Sequence, residues 1–94
     1  MSIITLTTDF GIKNEFVSVM KGVILGISPA VQIVDVTHAV APQNILEGAF
    51  ALWRAASFFP DQTIHLFVVD PGVGTSRRAI AARIGSQYFV GPDN

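Results

Sequence analysis

Residues 3–29, IITLTTDFGIKNEFVSVMKGVILGISP, decide how the rest of the chain is read. The stretch opens with an unbroken β-branched and apolar run, IITLTT, which stops at Asp9-Phe10-Gly11. Such a run reads as a buried strand closed by a turn. From Asn14 the spacing changes: Phe16, Val17, Met20, Val23, Ile24 and Ile27 recur at helical intervals until Ser28-Pro29. This predicts an amphipathic helix with Asn14 as its N-cap and Pro29 as its stop.

Working outward, the same rhythm returns. Residues 31–36 (VQIVDV) form a second predicted strand, ending at Thr37-His38. Gln43-Asn44 then open a second predicted helix, in which Asn44 and Glu47 stand three apart like a capping box. It runs through Phe50, Trp53 and Arg54 to about Phe59, where Pro60 ends it. Residues 63–69 (TIHLFVV) are the third strand, and residues 79–84 and 87–90, parted by Gly85-Ser86, read as a β-hairpin. Strands and helices alternating over short connections imply parallel pairing through right-handed crossovers, and near-continuous apolar strands imply a sheet covered on both faces. The expected fold class is therefore α/β: a three-layer α/β/α sandwich with a mostly parallel sheet, βαβαβ followed by a β-hairpin, in one domain over residues 1–94.

Composition narrows the function classes. Of 94 residues, 50% are hydrophobic and 14% charged, and the mean hydropathy is +0.51. That is high for a short chain, so some apolar surface is expected to meet a partner or a further segment. Six basic against seven acidic residues give a formal charge of −1, with no long basic face, which argues against nucleic acid. There is no cysteine, the N-terminus lacks the pattern of a signal peptide, and no apolar run approaches the ~18 to 20 residues that would span a bilayer. A cytoplasmic protein without membrane contact is expected. No His/Asp/Glu cluster has metal-ligand spacing, so no metal is assigned.

In an open parallel sheet, ligands bind outside the carboxyl ends of the strands. Those ends carry Thr8-Asp9-Phe10-Gly11, Thr37-His38 and the segment Asp70-Pro71-Gly72-Val73-Gly74-Thr75. An aspartate just past a strand suits a vicinal diol or a base, and it is equally a common turn residue. In VVDPGVGTSRR (68–78), glycines that can turn backbone N–H groups toward a ligand precede Arg77 and Arg78. Neither GxGxxG opening a helix nor GxxxxGK[ST] is present, so a phosphate-gripping loop is weakly supported. Asp70 and an arginine sharing a pocket would hold a water or hydroxide, the carboxylate accepting a proton and the guanidinium remaining charged. The alternative is a salt bridge that stiffens the loop. His38 reads as a local hydrogen-bonding residue and His65 as a satisfied residue of its strand. Lys21 reads as a surface lysine lying along the helix, and Trp53 with Phe58-Phe59 as core or interface anchors.

Taken in order, TTDFG (7–11), MKGVI (20–24), IVDVTH (33–38), APQNILEGAF (41–50), FPDQTIH (59–65), VVDPGVGTSRR (68–78) and FVGPDN (89–94) resemble the N-terminal domain of the S-adenosyl-L-methionine hydroxide adenosyltransferases, relatives of the fluorinases and chlorinases. The resemblance covers essentially the whole chain. It implies displacement at the ribose C5′ of S-adenosylmethionine by a water-derived nucleophile, giving adenosine and methionine, with no cofactor. It also implies that Asp9 holds the ribose hydroxyls, that Phe10, Asn14, Gln43 and Val73 contribute to substrate binding, and that Asp70 and Arg77 activate the nucleophile while Arg78 is structural. The halogenating relatives lack this Asp and Arg combination and use a hydroxyl-lined halide pocket, so hydrolysis is favoured over halogenation. One departure is Asn14-Glu15-Phe16 where the family often has Asp-x-Tyr. The family's catalytic histidine and its C-terminal β-rich domain, which a neighbouring subunit of a trimer brings to the adenosyl site, lie beyond residue 94. The chain is thus expected to be truncated, to carry half a site at a subunit interface of a homo-trimer, and to turn over slowly or not at all by itself. A non-catalytic nucleoside-binding or oligomer-assembly module is the first alternative reading, and a SAM-dependent halogenase the second.

Overall fold

The strand order is β2-β1-β3-β5-β4 in one five-stranded sheet, where β1 is Ile3–Thr8, β2 Gln32–Thr37, β3 Ile64–Val68, β4 Ala79–Ile84 and β5 Gln87–Pro92. The computed structural model describes residues 2–69 and 78–92. β1 pairs in parallel with β2 and with β3, β3 pairs in parallel with β5, and the β4–β5 hairpin is antiparallel. Gly85, at φ +61, supplies the left-handed residue that its tight turn needs.

The two helices, α1 (Phe16–Ile27) and α2 (Ile45–Ala56), lie on opposite faces. The chain steps from β1 outward to β2, then back past β1 to β3, and right-handed crossovers in opposite directions cover opposite sides of the sheet. The side chains agree. Gly48 of α2 lies against Phe67 and Val69, whereas Phe16, Val19 and Met20 of α1 share a cavity wall with Val68. Neighbouring strand residues point to opposite faces. The three-layer α/β/α arrangement and the βαβαβ-hairpin order are as the sequence predicts.

Element ends differ in detail. The N-cap of α1 is Glu15 rather than Asn14. Asn14 Oδ1 still accepts the N–H of Phe16 at 3.0 Å, so it satisfies one orphan donor from a position just outside the helix. At α2, Asn44 Oδ1 accepts the N–H of Glu47 at 3.0 Å, as a capping box requires. The reciprocal bond is redirected, because the N–H of Asn44 is already bonded to the carbonyl of Ala41. The Glu47 carboxylate takes the N–H of Ala41 instead. α2 ends at Ala56, short of Phe59, where the N–H groups of Phe58 and Phe59 turn back to the carbonyls of Ala55 and Ala56.

α2 buries Gly48, Leu52 and Ala56, a stripe with two small residues that lets the helix approach the sheet closely. Its large residues fall elsewhere: Trp53 is 76% exposed, and Phe58, just beyond the helix, 88%. Neither is a core residue, which corrects that half of the sequence reading. Phe59 is half-buried and meets His65 edge-on at 5.7 Å.

His65 is fully buried and satisfied. The Gln87 amide donates to the carbonyls of Ala56 and Phe59, both at 3.0 Å, which turns its oxygen toward His65 Nε2 at 3.1 Å. His65 therefore carries its proton on Nε2, and the Thr5 hydroxyl donates to Nδ1 at 2.6 Å. Burial lowers the pKa of His65 and outweighs the opposing hydrogen bond to Gln87.

Candidate active site

The carboxyl ends of β1 and β2 are tied together by a polar chain. Gly11, at φ +76, turns the backbone after Phe10, and its N–H donates to the carbonyl of His38 at 2.8 Å. One residue before Asp9, Thr8 Oγ1 accepts the N–H of Phe10 at 3.2 Å and lies 2.7 Å from His38 Nδ1. His38 Nε2 reaches Asp35 Oδ1 at 2.9 Å, and Lys21 Nζ reaches Asp35 Oδ2 at 2.9 Å. With a carboxylate at Nε2, the ring's proton belongs there, so the Thr8 hydroxyl donates to Nδ1. Burial pushes the Asp35 pKa up, but the hydrogen bonds from His38 and Lys21, with the charge of Lys21, prevail and hold it below its ordinary value. Lys21, read from the sequence as a surface lysine, is also the ion-pair partner of Asp35.

Asp9, in the same turn, has a different partner. Its Oδ2 accepts the N–H of Gln43 at 2.7 Å, a bond made possible because Gln43 adopts φ 62, in the left-handed region. Its other oxygen has no partner among the described residues. Asp9, Phe10, Asn14 and Gln43 together line a cavity of about 560 Å³. Four of the residues expected to bind substrate are therefore brought to one place. Phe16, Val19 and Met20 of α1 form an apolar wall and Val68, at the end of β3, closes the inner side. Phe10 and Phe16 meet edge to face, with centroids 6.1 Å apart. An apolar recess with one fixed carboxylate suits a small molecule that has a flat apolar part and hydroxyl donors.

Asp70, Val73 and Arg77 lie outside the described residues. Asp70 follows Val69 directly in sequence, two positions past the cavity residue Val68. Among the described residues no three His, Cys, Asp or Glu side chains gather as metal ligands would, and no helix is long and apolar enough to cross a membrane.

The wall residues Phe16, Val19 and Met20 were not singled out as site residues by sequence reasoning. The available signal was that α1, FVSVMKGVILGI, carries apolar residues on more than one face. One face alone could serve the sheet.

The chain matches the family described as SAM hydroxide adenosyltransferase N-terminal domain over residues 4–94. It is 46% identical over 91 residues to an (R)-S-adenosyl-L-methionine hydrolase of Salinispora tropica, a match that covers 97% of this chain and 34% of that protein. To a fluorinase of an Actinoplanes species it is 38% identical over 82 residues, covering 87% of this chain and 28% of the relative. Among solved structures, an uncharacterized conserved protein from Thermotoga maritima superposes with a TM-score of 0.89 at 48% identity, over 98% of this chain and 35% of that one. The chain spans about a third of the length of the curated relatives it matches. On the strength of a match across almost its entire length, the chain belongs to the SAM hydroxide adenosyltransferase family, as its N-terminal domain.

Proposed function

We propose that the chain is the N-terminal, adenosyl-binding α/β domain of an enzyme that hydrolyses S-adenosyl-L-methionine to adenosine and L-methionine. The observation that supports this most is the Asp9 carboxylate, held by the Gln43 N–H and lining a largely apolar cavity, in a chain whose relatives include (R)-S-adenosyl-L-methionine hydrolases. On this reading Asp9 accepts hydrogen bonds from the ribose hydroxyls. Phe10, Asn14, Gln43 and Val73 complete the contacts.

The sulfonium of the substrate is already a good leaving group, so no cofactor is needed. A water oxygen attacks C5′ in line with the C5′–S bond, and the bonding pair leaves to sulfur as the thioether of methionine. The water proton passes to Asp70, while Arg77 stabilises the developing negative charge on oxygen. Positioning and water exclusion supply most of the acceleration in such a displacement. The cavity is open on the side of Phe16 and Val19, both more than half exposed. A second subunit closing it, in a trimer with sites at its interfaces, accounts for that exposed apolar wall.

The test is to incubate the chain with S-adenosylmethionine, with and without chloride, and to separate the products by mass-detected chromatography. At most slow formation of adenosine and methionine in equal amounts is expected of this chain by itself, with no 5′-chloro-5′-deoxyadenosine. A chlorinated nucleoside would replace hydrolysis by halogenation. The absence of both products and of adenosine binding would leave the chain a non-catalytic assembly module.

A further inference from the structure

Resting on the reading of Asp9 as the ribose-binding carboxylate, we propose that His38 is the positioning residue of the site. It holds the turn that carries Asp9 from both ends without touching the substrate cavity.

His38 reaches the turn through two different groups. Its ring Nδ1 accepts the Thr8 hydroxyl at 2.7 Å, and its backbone carbonyl accepts the Gly11 N–H at 2.8 Å. Thr8 and Gly11 bracket Asp9 and Phe10, the two residues of this turn that line the cavity. Thr8 also accepts the Phe10 N–H, so the ring bond orients a hydroxyl that in turn orients the Phe10 backbone.

The ring is itself held from behind. Asp35 accepts from Nε2, and Lys21 of α1 pairs with the other oxygen of Asp35. This arrangement keeps Nε2 as the donor and Nδ1 as the acceptor. His38 is 8% exposed, and with Asp35 and Lys21 it lines a second cavity rather than the one that Asp9 lines. His38 is not among the residues that line the Asp9 cavity. It acts on the ligand only through the carboxylate it helps to aim, and a misplaced binding group loses affinity even when chemically intact.

Calorimetric titration of the chain with adenosine tests this in a double-mutant cycle. His38→Leu is expected to weaken adenosine binding about tenfold in the unmodified background and less than about twofold where Asp9 is already Ala. His38→Asn, whose amide oxygen replaces Nδ1 as the acceptor, is expected to restore binding to within about threefold. Amide exchange supplies a readout without ligand: the Phe10 amide should exchange about tenfold faster in His38→Leu and at the normal rate in His38→Asn. Thr8→Val, which removes the hydroxyl at similar volume, stands in for His38→Leu if that variant does not fold. Equal weakening with and without Asp9, or unchanged binding and exchange in both Leu and Val variants, would overturn the positioning role. If the unmodified chain binds no adenosine, the ribose role of Asp9 falls, and the positioning role with it. The Phe10 exchange rates then show only whether His38 holds the turn.

Discussion

The Asp9 carboxylate and the backbone N–H of Gln43 meet at 2.7 Å, joining the end of β1 to the approach to α2 across 34 residues of sequence. The donor is main chain, so it does not depend on the Gln43 side chain. Hydrogen bonds to charged groups are worth about 1.5–3 kcal/mol, or about ten- to a hundredfold in affinity. Asp9→Ala is expected to weaken adenosine binding by that factor. Gln43→Ala keeps the N–H and is expected to cost less than about threefold. Titration of both variants checks the assignment, and a larger loss in Gln43→Ala than in Asp9→Ala would reverse it.

Two glycines respond in opposite directions. A Cβ at Gly91 would stand 2.9 Å from the carbonyl oxygen of Phe67, a backbone atom fixed in the β3–β5 ladder. Gly91→Ala is expected to destabilise the fold by about 1–3 kcal/mol through strain. Gly22, inside α1, has nothing within 4 Å of such an atom, so Gly22→Ala is expected to stabilise by up to about 1 kcal/mol through helix propensity. Urea midpoints of the two variants should bracket that of the unmodified chain.

Acid should weaken the fold in two steps. The folded pKa of His65 lies below its ordinary value of 6.5 because the ring is buried. Below that pH the unfolded chain takes a proton that the folded chain refuses, so stability falls until the folded pKa is passed. The Asp35 carboxyl is also depressed, from 3.8, with burial outweighed by His38 and Lys21. Its contribution is present above that value and is lost as pH falls through the folded pKa. The urea midpoint is expected to drop between about pH 7.5 and about pH 5.5, and to drop less in His65→Gln. An equal drop in both proteins would remove His65 as the cause.

The order of elements was legible because each rests on a local signal. IITLTT and TIHLFVV are too short and too β-branched to be helices, and Pro29 and Pro60 end the periodic segments between strands. The placement of Asp9, Phe10, Asn14 and Gln43 around one cavity follows from that order, since parallel strands bring their carboxyl ends to one edge. Pairings were not legible. The bond that fixes Asp9 comes from a backbone N–H of a glutamine at φ 62, and nothing in the residue type announces a left-handed glutamine. The Lys21–Asp35 pair joins a helix to a strand across 14 residues; periodicity assigns faces, not partners. Helical spacing also overstated the burial of Trp53, because α2 turns the Gly48, Leu52 and Ala56 stripe to the sheet and leaves Leu46, Phe50 and Trp53 exposed.

Asp70 and Arg77 bring opposite charges within seven residues of sequence. If hydrolysis proceeds as proposed, Asp70 takes the proton of the attacking water, and its loss cannot be repaired by an amide of the same shape. Asp70→Asn is expected to lower the rate of adenosine formation about 10²- to 10⁴-fold, the usual contribution of one general base. Arg77 supplies fixed charge, and a lysine keeps the charge but not the planar fork of donors. Arg77→Lys is therefore expected to retain more activity than Arg77→Ala. Both arginine variants should leave adenosine affinity nearly unchanged, because adenosine carries no developing charge for the guanidinium to meet. Single-turnover rates set beside adenosine titrations separate these effects. A salt bridge that merely stiffened the segment would instead lower the melting temperature of all three variants and leave the arginine order, Lys above Ala, without a kinetic counterpart.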